Sequence, residues 1–209
     1  MEERTASGSD APLGVGVVGC GSISGVYLDT LPKLPGVQVV ACADLLPERA
    51  QGAARRHGVP RATTVAELLA SPDVDIVLNL TIPAAHTEIG LAAVGAGKHV
   101  YSEKPLAISP EDGRKLLAAA REAGVRVGAA PDTFLGAAVQ SAQRLIRDGA
   151  IGEPVAAAGF MLCPGHESWH PAPDFYYQSG GGPLFDMGPY YLTALICLLG
   201  PIARVSCSA

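Results

Sequence analysis

Between Leu13 and Pro131, short apolar runs alternate with Ala-, Leu- and Arg-rich amphipathic segments. That alternation restricts the chain to βαβ units built around a parallel sheet. The runs at residues 14–18, 37–43, 76–80, 99–101 and 125–129 are apolar almost throughout, as strands covered by helices on both faces must be. Between them, residues 47–57, 65–70, 84–96 and 110–123 carry helical spacing. Pro47, Pro83 and Pro110 stand near the starts and Gly58, Gly97 and Gly124 just past the ends. The predicted class is α/β, a Rossmann-type doubly wound parallel sheet.

The pattern changes after residue 132. Residues 133–148 predict one more helix, 155–162 a strand, 163–182 a long loop rich in Gly, Pro, His and aromatics, 183–199 a buried helix, and 203–209 a last strand. Two strands and two helices bury little surface, so this second α/β domain reads as incomplete, with an open mixed sheet. The organisation expected is a disordered tail over residues 1–12, a dinucleotide-binding domain over 13–132 and a partial substrate or oligomerisation domain over 133–209.

Lys and Arg total 15 against 20 acidic residues and are scattered, for a formal charge of -5. A nucleic-acid surface needs a concentrated basic face, and none is present. The polar, acidic start lacks a secretion signal, and no apolar stretch is long enough to span a bilayer. Cys20, Cys42, Cys163, Cys197 and Cys207 are odd in number and lack a C-x-x-C pair. This argues for a reducing cytoplasm and against a disulfide framework or a zinc site.

Residues 14–18 lead directly into Gly19-Cys20-Gly21-Ser22-Ile23-Ser24, so a G-x-G falls between a strand and a helix, where a pyrophosphate can rest on helix amides. Gly19 supplies the tight turn, and Gly21, Ser22 and Ile23 face the phosphates. Ser24, in the third glycine's place, is small enough for close packing. On its own the motif also fits a flexible loop. Asp44 ends the second strand, where an acid accepts hydrogen bonds from the adenosine ribose and repels a 2′-phosphate. NAD is therefore expected, with NADP as the alternative because Arg49 lies nearby. Asp44 also suits an N-cap before Pro47, and glycines plus acid also suit a methyltransferase.

Glu103-Lys104-Pro105 follows the strand at 99–101 and sets an amine beside a carboxylate at the carboxyl end of the sheet, where ligands collect. Pro105 restricts its neighbour's geometry and so directs the lysine. A surface ion pair in a loop is the plainer alternative.

With these residues together the chain resembles the Gfo/Idh/MocA oxidoreductases from Leu13 to Ala209. The likeness rests on Gly19 and Gly21, Asp44, Thr81-Ile82-Pro83-Ala84-Ala85-His86, the run from Ala96 into Glu103-Lys104-Pro105, and Gly180-Gly181-Gly182-Pro183-Leu184-Phe185-Asp186-Met187-Gly188. The resemblance implies NAD(P)-dependent oxidation or reduction of a sugar, cyclitol or related polyol, with Lys104 beside the nicotinamide. It also implies Thr81, Pro83 and His86 along the nicotinamide half, Glu103 near its ribose, and a homo-oligomer for the full-length form. His86 alone also fits a structural hydrogen-bonder. Family members continue well past residue 209, so a truncated chain is expected.

Many members carry Asp-x-Gly-x-His, but here the run is Asp186-Met187-Gly188-Pro189-Tyr190. Asp186 is expected to position substrate, and Tyr190 or His170 to exchange the proton. A phenol ionises near pH ~10 and needs a cation such as Lys104 to serve as a base. Tyr190 and Tyr191 also fit the start of a buried helix. His166, Trp169 and His170 are candidate substrate contacts, with Trp169 a stacking surface or a core plug. Their spacing matches no helical metal motif, so no metal is expected. A nucleotide-binding regulator without turnover is the rival from another class.

Overall fold

The computed structural model describes residues 11–168, 170, 173–178 and 180–208, with residue 175 described by its backbone only. Most of the expected tail, together with Trp169 and Ala209, lies outside the described residues. The chain divides into two compact units, Met1–Gly128 and Ala129–Ala209.

The sheet has six strands, the first five wholly in the first unit and the sixth running past its end at Gly128: β1 (Leu13–Val18), β2 (Val37–Ala43), β3 (Ala62–Thr63), β4 (Ile76–Asn79), β5 (His99–Glu103) and β6 (Val127–Ala130). Their order is β3-β2-β1-β4-β5-β6, and the pairings of β1 with β2, β1 with β4, β2 with β3 and β4 with β5 are parallel. Chain direction through the sheet reverses between β1 and β4, which opens a crevice at their carboxyl ends. The helices are α1 (Ser24–Thr30), α2 (Pro47–His57), α3 (Val65–Ala70), α4 (His86–Gly95) and α5 (Pro110–Ala123).

Alternation along β1 divides the core. Val15 and Val17 join Leu28, Ala50, Ala53 and Leu78 in one buried cluster, while Val18 joins Leu68, Val77, Val94 and Leu116 in the other. A Cβ on Gly16 would lie 2.7 Å from Leu68 Cδ2, so this position stays bare to let α3 approach the sheet. Proline starts α2 and α5, and left-handed Gly58 and Gly124 cap their ends.

β3 was not expected, because two residues are too few to show a period. The helix expected from residue 84 is a 3₁₀ turn, Pro83–Ala85, running into α4.

The second unit holds α6 (Ala137–Arg147), a 3₁₀ turn at Pro173–Tyr177, α7 (Gly182–Asp186) and α8 (Gly188–Leu199). Gln143 Nε2 donates to the Cys197 carbonyl at 3.0 Å and ties α6 to α8. Three expectations differ here. Residues 155–162 and 203–208 form no strand, because a strand needs a hydrogen-bonded neighbour and none lies beside them among the described residues. No second sheet is therefore present among the described residues. The helix expected over 183–199 breaks at Met187, since Pro189 lacks an N–H and starts α8 afresh. Nor is α8 buried, for Leu192, Ile196 and Leu199 are 43–45% exposed.

Candidate cofactor and catalytic site

The carboxyl ends of β1, β4 and β5 carry most of the candidate residues. Gly19 closes β1 with φ +98°, and a Cβ there would lie 2.6 Å from the Leu80 carbonyl at the end of β4. Both the backbone conformation and the space demand glycine. A Cβ on Gly21 would meet nothing within 4 Å, so this side of the elbow is open, and Ser22 and Ile23 beside it are exposed. Ser24 Oγ donates to the Gly21 carbonyl at 2.7 Å, which folds the third position back onto the turn.

Asp44 holds the elbow to β2. Its Oδ2 accepts the Cys20 N–H at 2.7 Å and its Oδ1 the Leu46 N–H at 2.9 Å. The helix-cap alternative fails in detail, because the N-cap of α2 is Leu46. The Cys20 thiol, inside the elbow, is pushed up in pKa by its hydrogen bond with the Cys42 thiol and then by burial, so it stays protonated. Beyond Asp44 a cleft of about 440 Å³ is lined by residues from the ends of β2 and β3 and the starts of α2 and α3.

At the end of β4, Asn79 is fully buried. Its Nδ2 donates to the His86 carbonyl at 3.0 Å, and its Oδ1 accepts Thr81 Oγ1 at 2.7 Å. His86 was expected along the nicotinamide, but the structure puts it in the core at 1% exposure. Its Nδ1 meets the Pro105 carbonyl at 2.6 Å and its Nε2 the Thr81 carbonyl at 2.9 Å. The imidazole is a clamp between the Thr81 loop and the Lys104-Pro105 turn, with no open face for a ligand. Thr81 and Pro83 stay half-buried above it.

At the end of β5, Glu103 accepts the Tyr27 hydroxyl on Oε1 at 2.6 Å and the Lys104 N–H on Oε2 at 2.9 Å. Tyr27 lies on α1, directly after the elbow. Sequence reasoning missed it, because nothing local marks this phenol and its partner lies 76 residues away in the chain. Lys104 is half-buried at the lip of the same crevice. The bare elbow, the open face at Gly21 and the acid at the end of β2 together suit a dinucleotide.

The second unit carries its own polar cluster. His166 Nε2 lies 3.1 Å from Asp186 Oδ2, and both side chains are largely buried. The His166 ring packs edge-on to Tyr176 at 3.9 Å between centroids, with His170 on Tyr176 at 5.4 Å. Burial and then the Asp186 charge push the Tyr176 phenol up to about 12. Tyr177 donates to Glu167, which holds that carboxyl below the usual range. Asp186 closes α7 and Tyr190 sits in the first turn of α8, on either side of the break at Met187. The Asp186–His166 pair was not anticipated, because twenty residues separate them in the chain. Among the described residues, no three of His, Cys, Asp or Glu are grouped to hold a metal ion, and no helix is long and apolar enough to cross a membrane.

Comparison with known proteins accords with this geometry. Residues 13–130 match the model of an oxidoreductase family with an NAD-binding Rossmann fold, and residues 139–209 match the Gfo/Idh/MocA C-terminal domain. A 1,5-anhydro-D-fructose reductase of Ensifer adhaerens is 36% identical over 82% of this chain and 52% of its own length. A 3-ketoreductase of Actinomadura kijaniata, solved with NADP and TDP-benzene, is 34% identical with a TM-score of 0.79, covering 90% of this chain and 58% of that one. GenD2 of gentamicin A biosynthesis, solved with NAD, is 30% identical with a TM-score of 0.77, covering 91% and 54%. The chain spans about half the length of the curated relatives it matches. The chain belongs to the Gfo/Idh/MocA oxidoreductase family, whose N-terminal domain is an NAD-binding Rossmann fold.

Proposed function

We propose that the chain provides the nucleotide-binding part of an NAD(P)-dependent oxidoreductase acting on a sugar, cyclitol or related polyol. One observation carries this reading. The Tyr27–Glu103 hydrogen bond draws the helix after the glycine elbow toward the strand end that bears Lys104. The elbow and the strand end that bears Lys104 are thereby tied together beside the reversal point of the sheet, an arrangement that supports binding of a dinucleotide and its substrate there.

The bound nicotinamide supplies the hydride acceptor or donor, and the remaining work falls to the chain. The Lys104 ammonium hydrogen-bonds the reacting oxygen and stabilises the negative charge that develops there. Glu103, held by Tyr27, fixes the backbone from which Lys104 projects. Thr81 and Pro83 border the nicotinamide half, and His86 keeps their loop in register with Pro105 from below. In the second unit, Asp186 and Tyr190 are assigned substrate positioning and proton exchange, and His166, Trp169 and His170 substrate contacts. The sugar-or-polyol class draws support from the named activity of the Ensifer relative.

The test is NADH fluorescence titration followed by a panel of aldoses, ketoses and cyclitols, with the Lys104→Ala variant alongside. Saturable binding, turnover on some panel member and loss of that turnover in the variant are expected. Near-normal turnover without the amine would remove Lys104 from the mechanism. Binding with no redox change on any substrate would instead favour a sensor.

A further inference from the structure

The cleft beyond Asp44 makes a prediction about nucleotide choice that family membership leaves open, since one similar structure holds NAD and another NADP. Ten residues line it, and two of them, Asp44 and Glu67, are carboxylates, while none is Lys, Arg or His. Asp44 is anchored by the Cys20 and Leu46 amides. Glu67 looks like a solvated residue in the first turn of α3, yet it is held as firmly. Its Oε2 accepts Thr63 Oγ1 at 2.5 Å, Thr64 Oγ1 at 2.8 Å and the Thr64 N–H at 3.0 Å. The Glu67 N–H returns a bond to Thr64 Oγ1 at 3.2 Å, completing a capping box.

These bonds bear on the charge as well as on position. Hydrogen bonds from Thr63, then from the Thr64 amide and hydroxyl, bring the Glu67 carboxyl down to about 2, so it is an anion at every working pH. The basic residues flanking the cleft in sequence do not offset it. Arg61, next to lining residue Ala62, turns to Asp73 at 3.2 Å and Ser71 Oγ at 2.9 Å. Arg49, between lining residues Pro47 and Ala50, is exposed and takes no part in the lining.

In a fold of this kind, the acid at the end of β2 meets the adenosine ribose, where NADP carries a phosphate and NAD a hydroxyl. A cleft with two fixed anions and no cation accepts the hydroxyl and repels the phosphate. Resting on the dinucleotide reading above, we propose that Glu67 acts with Asp44 as a second determinant that excludes a 2′-phosphate and selects NAD over NADP. Glu67 is a specificity residue here and takes no part in the chemistry.

Glu67→Gln is the informative variant, because glutamine in the capping box keeps the helix start while removing the charge. NADH and NADPH dissociation constants are measured by fluorescence at about 20 mM and 200 mM salt, with melting temperatures as a check on folding. The wild-type chain is expected to bind NADH at least tenfold tighter than NADPH at low salt. Glu67→Gln is expected to tighten NADPH about three- to tenfold while leaving NADH within about twofold, and the change shrinks at high salt as screening sets in. Adding Asp44→Asn narrows the ratio further. A purely structural Glu67 would shift both nucleotides together, and an unchanged NADPH-to-NADH ratio overturns the proposal while the dinucleotide reading stands. Failure of either nucleotide to bind the wild-type chain overturns both.

Discussion

The Tyr27 hydroxyl donates to Glu103 Oε1 at 2.6 Å across the carboxyl end of β4, joining the helix after the glycine elbow to the strand end that carries Lys104. With β4 between them, β1 and β5 lie about 10 Å apart, two inter-strand spacings. The bond therefore ties α1 to the end of β5.

Tyr27→Phe keeps the ring and deletes that donor. A hydrogen bond to a partly buried carboxylate is worth about 1.5–3 kcal/mol, so urea denaturation should show a loss at the lower end of that range. Turnover should fall along with stability, because Glu103 also accepts the Lys104 N–H. An unchanged midpoint and unchanged turnover would show that the bond couples nothing.

His86→Ala removes a core side chain and leaves the Pro105 or Thr81 carbonyl, whichever accepts the imidazole N–H, without its donor. The unpaired carbonyl and the cavity together cost about 2–4 kcal/mol. Thermal melts read the loss, and kcat should drop even though His86 is 1% exposed. Full activity in a stably folded variant would mean that the clamp does not position Lys104.

At Gly19 the smallest side chain is already too large. Gly19→Ala places a methyl 2.6 Å from the Leu80 carbonyl at a φ of +98°. A destabilisation of at least about 2 kcal/mol is expected from strain and overlap, together with NADH binding weakened beyond detection. Wild-type NADH affinity in this variant would separate the elbow from the cofactor.

Lys104→Ala should reduce kcat by about 10²–10³ when an oxyanion-stabilising donor is lost, with NADH affinity changed by less than about threefold. Single-turnover kinetics separates the two effects. A change confined to NADH binding would recast Lys104 as a cofactor contact.

The NADPH-to-NADH preference should follow the phosphate and not Glu67 as pH changes. Glu67 stays ionised until pH approaches about 2, whereas a phosphate monoester takes up its second proton near pH ~6. As pH falls from about 8 to 5 the phosphate moves from two charges to one and repulsion weakens. Relative NADPH affinity should therefore rise with a midpoint near pH ~6. The capping bonds' stabilisation is complete above Glu67's ordinary value of 4.5 and is lost only as pH falls toward about 2.

Strand positions in the first unit were legible because a strand covered by helices is mostly apolar, and the bounds expected for residues 37–43 match β2 although only its last three residues are fully buried. β3 was not legible, since two residues carry no period. Residues 155–162 have the composition of a strand but no strand beside them among the described residues, and composition cannot supply a hydrogen-bonding neighbour. At the site, Gly19 and Asp44 could be read because their demands are local: a turn with positive φ, and an acid at a strand end.

Local order alone determined the βαβ alternation, the glycine elbow, the acid closing β2 and the amine closing β5, because each is a requirement of backbone geometry or burial over a few consecutive residues. Tertiary structure alone decided that His86 is a buried clamp, that Tyr27 reaches Glu103 over 76 residues of chain, that His166 pairs with Asp186, and that Glu67 shares a cleft with Asp44. The physical reason is one of range. Burial and hydrogen-bond partners are set by whichever segments the sheet brings side by side, and that neighbourhood is written in no single stretch of sequence.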